Sequence, residues 1–253
     1  MDNPLPKASN AKILFLDTLK SLINIIYPKL CLVCKRKLAP KAKSLVCGEC
    51  GRKIRKNLPP FCHRCGRQLK APYIAKNICV PCLKKKLHFD RAFSPCVYEG
   101  SLKELIHDFK YKNKQYLGAT LSTFMIDFIN EYHIPMDVID LIVPVPLHKT
   151  KLREREFNQA QVLSTYIAKA FNKGILTDTL IRHRHTRTQA ELLADQRSLN
   201  VKDSFSVREK DLIKGKHVLL VDDVLTTGST ASEAAFALKD AGAHIVFILT
   251  LAN

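Results

Sequence analysis

Acidic residues are scarce at the front of this chain. Residues 1–95 hold 21 Lys and Arg against 4 Asp and Glu, a net charge of +17, whereas residues 96–253 hold 20 against 19. Such a front suits an anionic macromolecule, nucleic acid or a membrane surface, better than a small acidic substrate; the alternative is a solvated charged face. No apolar run reaches the roughly 18 residues of a membrane-spanning helix. The nearest, Ile13 to Tyr27, is interrupted by Asp17, Lys20 and Asn24. Its Leu16, Leu19, Ile23 and Ile26 keep helical spacing, which predicts an amphipathic helix that docks on the protein's own body, with membrane contact as the alternative. No small-residue cleavage site follows a basic start, so no secretory signal is read and the chain is expected in the cytoplasm, at most peripheral at the inner membrane. With 46% hydrophobic residues the chain is not disordered, and its 253 residues allow one large domain plus a small module.

Eight of the nine cysteines come in Cys-x-x-Cys pairs: Cys31 and Cys34, Cys47 and Cys50, Cys62 and Cys65, Cys79 and Cys82. Twelve residues separate the first two pairs and thirteen the last two, so one unit is written twice. Cys34-Lys-Arg-Lys-Leu38 and Cys65-Gly-Arg-Gln-Leu69 repeat the turn after each leading pair. Two thiolate pairs on tight knuckles suit one tetrahedral Zn²⁺, which predicts two structural zinc ions bound in chain order, with interleaved binding as the alternative. Disulfides compete poorly in a cytoplasmic chain, and an iron–sulfur cluster fits the regular repeat less well. Zinc binding is folding energy in such ribbons, and chelation is expected to unfold this module alone. Cys96 reads as a small buried core residue.

Val218 to Val221 form a continuous apolar run, the pattern of a strand buried on both faces. The run ends in Asp222 and Asp223. Thr226, Thr227, Gly228, Ser229 and Thr230 then precede a helix-period segment, Ala231 to Ala241. Gly228 lets the backbone come close, and the helix N-terminus offers N–H groups and a partial positive charge to a phosphate. Two carboxylates beside that phosphate need hydroxyls or a cation, which a 5-phosphoribosyl group with Mg²⁺ would supply. The alternative is a capped strand-turn-helix with a polar end. No Lys follows the glycine and no Gly-x-x-x-x-Gly-Lys pattern occurs, so a nucleoside-triphosphate P-loop is not supported.

A second apolar strand, Val138 to Val145, stops at Pro144-Val-Pro146. A basic loop follows, with His148, Lys149, Lys151, Arg153 and Arg155. At the carboxyl end of a parallel strand it should face the crevice that holds the acid pair, where a pyrophosphate needs cations. Further strands are predicted at Ala92 to Tyr98, Ile175 to Ile181 and Ile245 to Leu251, and helices at Ser101 to Tyr111, with Ser101 as cap, and Leu117 to Tyr132. The alternation predicts an α/β fold with an open, mostly parallel sheet. At the front, Lys35, Arg36, Lys37, Arg64, Arg67, Lys84, Lys85 and Lys86 are interleaved with Phe61, Tyr73, Phe89 and Phe93. Cations with stacking rings are how single-stranded DNA is held, although the lysines could equally serve only to solubilise a ribbon.

The Asp-Asp and Thr-Thr-Gly-Ser-Thr run resembles the signature of type I phosphoribosyltransferases, which bind 5-phosphoribosyl 1-pyrophosphate (PRPP) with Mg²⁺. By that resemblance Asp222 and Asp223 take the ribose hydroxyls and Thr226 to Thr230 the 5-phosphate. Arg187, Thr188, Gln189 and Arg197 fall where these enzymes carry a mobile flap over PRPP, a solvated basic loop being the alternative. The eight-cysteine front, the helix Leu105-Ile-His-Asp-Phe-Lys-Tyr111, Pro144-Val-Pro with Arg153-x-Arg155-x-Phe157-Asn-Gln-Ala, and the Asp-Asp signature occur in the order of the ComF family of DNA-uptake (competence) proteins. Glu156 departs from it, standing where the family usually has glycine. The resemblance implies three parts: an N-terminal helix (1–28), a double zinc ribbon (29–90) and a type I phosphoribosyltransferase-like domain (91–253). It implies PRPP, single-stranded DNA, the DNA-uptake machinery at the inner membrane and a second copy of the chain as partners. The alternatives are a sensor of PRPP or a nucleotide without transferase activity, and a transferase with an unidentified small acceptor. A glutamine-dependent amidotransferase lacks support, because the chain opens Met1-Asp2-Asn3 and not with a nucleophilic cysteine.

Overall fold

The computed structural model describes residues 28–42, 44–69, 77–184 and 203–253. The helix expected at the N-terminus, Tyr73, and the flap residues Arg187, Thr188, Gln189 and Arg197 lie outside them. The chain divides into two compact units, residues 1–53 and residues 54–253. The division falls between the two ribbons, inside the span expected to be one module. Among the described residues no helix is long and apolar enough to cross a membrane.

The smaller unit holds the first ribbon and the short helix α1 (Gly48–Lys53). The larger unit runs through α2 (Val80–Leu83), β1 (Arg91–Phe93), α3 (Gly100–Tyr111), α4 (Leu117–Glu131), β2 (Leu141–Pro144), α5 (Lys149–Arg155) and α6 (Gln159–Phe171). It continues with β3 (Gly174–Ile175), β4 (Leu180–Arg182), β5 (Phe205–Val207), β6 (His217–Val224), α7 (Ser229–Asp240) and β7 (Ile245–Ala252). Five strands make one sheet in the order β1-β7-β6-β2-β3, and every pairing in it is parallel. β6 lies at its centre, so Val218 to Val221 are fully buried, as a strand covered on both faces requires. The segment read as one strand from Ile175 to Ile181 is two. β3 pairs with β2, a turn at Thr177–Asp178 takes the chain off the sheet, and β4 pairs antiparallel with β5. Helix α3 begins at Gly100 with Glu99 as its cap residue, two positions ahead of the expected cap Ser101.

The second ribbon is built into the larger unit's core. Asn57, 1% exposed, donates from Nδ2 to the carbonyls of Gly66 (2.7 Å) and Ser94 (2.9 Å), and its Oδ1 accepts from the Gln68 N–H (2.8 Å). Every polar atom of that buried amide is used, and the ribbon is tied to the segment after β1. The Ala92 N–H donates to Arg64 O (2.8 Å), and Cys65 and Leu87 pack against both the sheet core and the core around the second cysteine group. Because Cys65 and Leu87 belong to both cores, loss of the second metal is expected to loosen part of the sheet core as well as the ribbon.

The two repeats share one turn and differ in what it meets. The N–H of Lys35 reaches Cys31 O, and the N–H of Gly66 reaches Cys62 O; both residues are left-handed, with φ of 61° and 68°. A Cβ on Gly66 would lie 2.3 Å from Ala92 O. That is why the first ribbon tolerates lysine where the second has glycine. Gly66→Ala is expected to cost about 2–4 kcal/mol, from left-handed strain plus overpacking against backbone. Lys35→Gly should change stability little, because nothing comparable is lost. Urea titration of both variants checks this, and equal losses would contradict the docking.

Candidate functional site

β6 carries Asp222 and Asp223 to its carboxyl end, and the chain turns through Thr226 and Thr227 into α7. Gly228 is the cap residue of α7 at φ 79°, ψ −1°, a conformation that glycine adopts without steric cost. The Thr227 and Ser229 hydroxyls hydrogen-bond each other at 3.0 Å, and the Ser229 N–H donates to Thr227 Oγ1 at 3.4 Å. The first turn of α7 carries no acidic residue, so its positive end stays available to an anion. The loop leans on the second ribbon. Arg67 Nη2 donates to Thr226 O (3.4 Å), Lys85 Nζ donates to Thr227 O (3.3 Å), and the His88 N–H donates to Ser232 Oγ (3.1 Å). Leu87 and Phe89 stand behind Gly228, 3.6–3.9 Å from where a Cβ would be.

Above the loop lies a cavity of about 490 Å³, a volume typical of small-molecule sites. Asp222, Asp223, Thr226, Gly228 and Thr230 line its floor, and Lys103, Lys110, Lys151, Arg155 and Arg182 contribute five cations. Burial, and then the charge of Asp223, push Asp222 up to about 7. Burial, and then Arg182 and Arg155, bring Lys151 down to about 8. Burial also lowers Arg182. A buried cluster that suppresses its own charge gains when a polyanion enters.

The stretch expected as a pyrophosphate loop is a helix. His148 caps α5, with Nδ1 accepting from the Thr150 N–H at 3.3 Å. Lys151 and Arg155, one turn apart, line the cavity, while Lys149 and Arg153 stand on the exposed side. Arg155 donates to Gln159 Oε1 (3.1 Å) and Tyr111 Oη (3.3 Å), and its guanidinium lies 5.1 Å from the Tyr111 ring centre. Glu156 closes α5 at φ 65°, so the chain keeps a glycine-like backbone there while the side chain reaches out to Asn113.

Helix α3 is expected from the sequence, but none of its polar residues was assigned to the site. Leu102, Leu105, Ile106 and Phe109 are its buried stripe, and Lys103, His107, Lys110 and Tyr111, at i, i+4, i+7 and i+8, form a second stripe on the cavity wall. The polar spacing was the available signal. Arg182, at the end of β4, was also missed, because its strand was assigned to the main sheet.

Each cysteine group fits one zinc ion. Cys31, Cys34, Cys47 and Cys50 gather in the smaller unit, and Cys62, Cys65, Cys79 and Cys82 in the larger, all Sγ atoms of a group within 4.8 Å of one another. Chain order holds, and the ligands do not interleave. Sγ separations of 3.8 Å (Cys34 to Cys47) and 3.6 Å (Cys65 to Cys79) match the edge of a sulfur tetrahedron about 3.8 Å wide around zinc. Hydrogen bonds from the Arg36 backbone and side chain bring Cys34 down to about 6. Cys96 is fully buried and burial pushes its thiol up to about 12, in keeping with a core role.

The eight cations assigned to DNA divide between the units. Lys35, Arg36 and Lys37 are exposed in the smaller one, Arg36 pairing with Glu49; Arg67, Lys84, Lys85 and Lys86 are exposed in the larger. Arg64 is partly buried and donates to Leu87 O (3.0 Å). Of the rings expected to stack on bases, the three among the described residues are engaged in packing. Phe89 and Phe93 are 2% and 5% exposed, and Phe61 packs edge-on against Phe128 and Tyr132 at 5.7 and 5.1 Å.

Comparison with known proteins agrees with this layout. Residues 22–84 match the double zinc ribbon domain, and residues 160–253 the phosphoribosyl transferase domain. The chain is 31% identical to competence protein F of Haemophilus influenzae over 84% of its own length and 92% of that protein. It is 30% identical to the DNA utilization protein YhgH of Salmonella typhimurium over 88% and 96% of the two chains. Competence protein ComFC of Bacillus subtilis matches at 26% over 86% and 91%.

The raised Asp222 sets a pH dependence. An unfolded aspartate titrates near 3.9, so between about pH 4 and pH 7 the folded chain holds the extra proton and stability falls as pH rises. The urea midpoint is expected to drop from about pH 5 to about pH 7.5, and Asp222→Asn to flatten much of that slope. An equal slope in the variant would show that another group controls it.

Proposed function

The chain belongs to the ComF family, and from that premise we propose that the cleft at the carboxyl ends of β2 and β6 binds PRPP in the service of DNA uptake. One observation carries the reading: an anion loop, an acid pair and five cations line a single cavity at the switch point of a parallel sheet. The 5-phosphate takes the N–H groups and hydroxyls of Thr226 to Thr230. The ribose hydroxyls meet Asp222 and Asp223. Lys151 and Arg155 from α5, with Arg182 from β4, receive the pyrophosphate.

The donor set suits a hard cation, since two adjacent carboxylates and phosphate oxygens are the ligands magnesium prefers. Asp222 and Asp223 would hold Mg²⁺, which neutralises pyrophosphate charge. If a nucleophile attacks C1 of the ribose, the C1–O bond breaks and its electron pair leaves with pyrophosphate, whose growing charge Lys151, Arg155 and Arg182 are placed to stabilise. Pyrophosphate release across a panel of acceptors distinguishes transfer from binding alone.

PRPP with Mg²⁺ is expected to raise the thermal midpoint, and Asp222→Asn with Asp223→Asn to abolish the shift while the fold remains. An unchanged shift in the double variant would remove the acids from the site.

We infer further that single-stranded DNA is held by exposed cations of the ribbons, through charge and without base stacking. The support is the net +17 of residues 1–95 and the exposure of Lys35, Arg36, Lys37, Arg67, Lys84, Lys85 and Lys86. Each phosphate contact on a single strand contributes a slope of about −0.7 in log affinity against log salt, so about four contacts give roughly −3. Replacing Lys84, Lys85 and Lys86 by alanine should make the slope shallower by about 2. Titration of a labelled oligonucleotide at several salt concentrations checks this; an unchanged slope would place the DNA elsewhere.

A further inference from the structure

Lys110 holds a position in this cleft that the PRPP reading leaves unexplained. It is the next-to-last residue of α3, and the buried stripe of Leu102, Leu105, Ile106 and Phe109 fixes that helix against the core. Its side chain is 17% exposed, and its Nζ lies 2.8 Å from Oδ1 of Asp223, whose side chain is 10% exposed. The neighbouring lysines do something else: Lys112 and Lys114 pair with Asp108 at 2.7 and 2.6 Å. Lys110 alone among these three turns inward to the acid pair.

Two adjacent carboxylates in a sheltered pocket need a compensating positive charge, or one of them protonates. A divalent metal ion is one source of such charge. Here an ammonium already stands at hydrogen-bond distance from one carboxylate. An ammonium has three N–H donors and no acceptor, so two remain to be directed at a ribose hydroxyl or a phosphate oxygen. Burial disfavours the charged lysine, but the Asp223 charge and hydrogen bond outweigh it and the group stays protonated.

Resting on the PRPP reading of the same cleft, we propose that Lys110 is a built-in cation of the ribose subsite, so that a ribose 5-phosphate group binds there without a divalent metal. The metal is then required for the pyrophosphate half alone. Lys110 also becomes a ligand-binding residue, supplied by a helix outside both the acid-pair strand and the phosphate loop.

The test is calorimetric titration of the full-length zinc-loaded protein with ribose 5-phosphate. The buffer is freed of Mg²⁺ on a chelating resin before the protein is added, so that the structural zinc stays in place, and the titration is repeated with Mg²⁺. The wild type is expected to bind ribose 5-phosphate with affinities within about threefold of each other in the two buffers. Lys110→Met is expected to lose about tenfold or more without Mg²⁺ and to regain part of that loss when Mg²⁺ is supplied; Lys110→Arg should stay close to wild type. Recovery by Mg²⁺ separates a role in charge from a merely structural one. Wild-type binding that requires Mg²⁺ overturns the proposal, whether or not the variants fold, and so does Lys110→Met binding like wild type in Mg²⁺-free buffer. If neither ribose 5-phosphate nor PRPP binds even with Mg²⁺, the PRPP reading itself fails and this inference falls with it.

Discussion

Two carboxylates in succession at the end of a buried strand are the constraint around which this cleft is arranged. β6 is covered on both faces, so Asp222 and Asp223 emerge where water is scarce, and their mutual repulsion has to be met from elsewhere in the chain. Lys110 from α3 and Arg182 from β4 act on the pair, and Lys151 and Arg155 from α5 line the same cavity. They are more numerous than the acids they face, and burial lowers two of them. Acids and cations together suit a ligand with hydroxyls at one end and several negative charges at the other.

The phosphate loop has a support of its own. Its small residues leave it few side chains with which to hold its shape, and the second zinc ribbon supplies what is missing. Arg67 and Lys85 fix two carbonyls of the loop, while Leu87 and Phe89 pack behind Gly228. Thus the ribbon sequence bears on the geometry of a site more than 130 residues further along the chain. The same cations are exposed in part, so the loop's support and the surface inferred to meet DNA are contiguous within the larger unit.

How much of this was legible from sequence depended on whether a signal was local. The β6 strand, its acid pair and the turn into α7 were legible, because an apolar run, two acids and a glycine before a helix-period segment leave little choice of conformation. The cysteine pairs were legible too, since ligand spacing fixes the knuckles. The docking of the second ribbon was not, because it rests on Asn57, Gly66 and Ala92 meeting across the sequence. The difference between Lys35 and Gly66 in otherwise equal turns was its one local trace. Lys110 was hidden by its own helix, whose apolar stripe drew attention from the polar stripe beside it. Lys149 to Arg155 was read as a loop because prolines precede it, although Lys, Leu, Arg and Glu favour helix and His148 can cap one. Phe61, Phe89 and Phe93 were assigned to DNA on composition, and packing took them for the core.

Binding of a phosphorylated ribose by the acid pair and its cations underlies all of these assignments. It is tested most directly by calorimetric titration of PRPP with Mg²⁺ near pH 7 in two buffers of different ionisation enthalpy. Ribose hydroxyls and a metal ion require Asp222 as an acceptor, and burial pushes that carboxyl up to about 7, so binding near pH 7 should release a substantial fraction of a proton. Saturable one-to-one binding is expected, with a heat that differs between the buffers by that release and a difference largely lost in Asp222→Asn. Binding with no buffer dependence, or no binding at all, would contradict it.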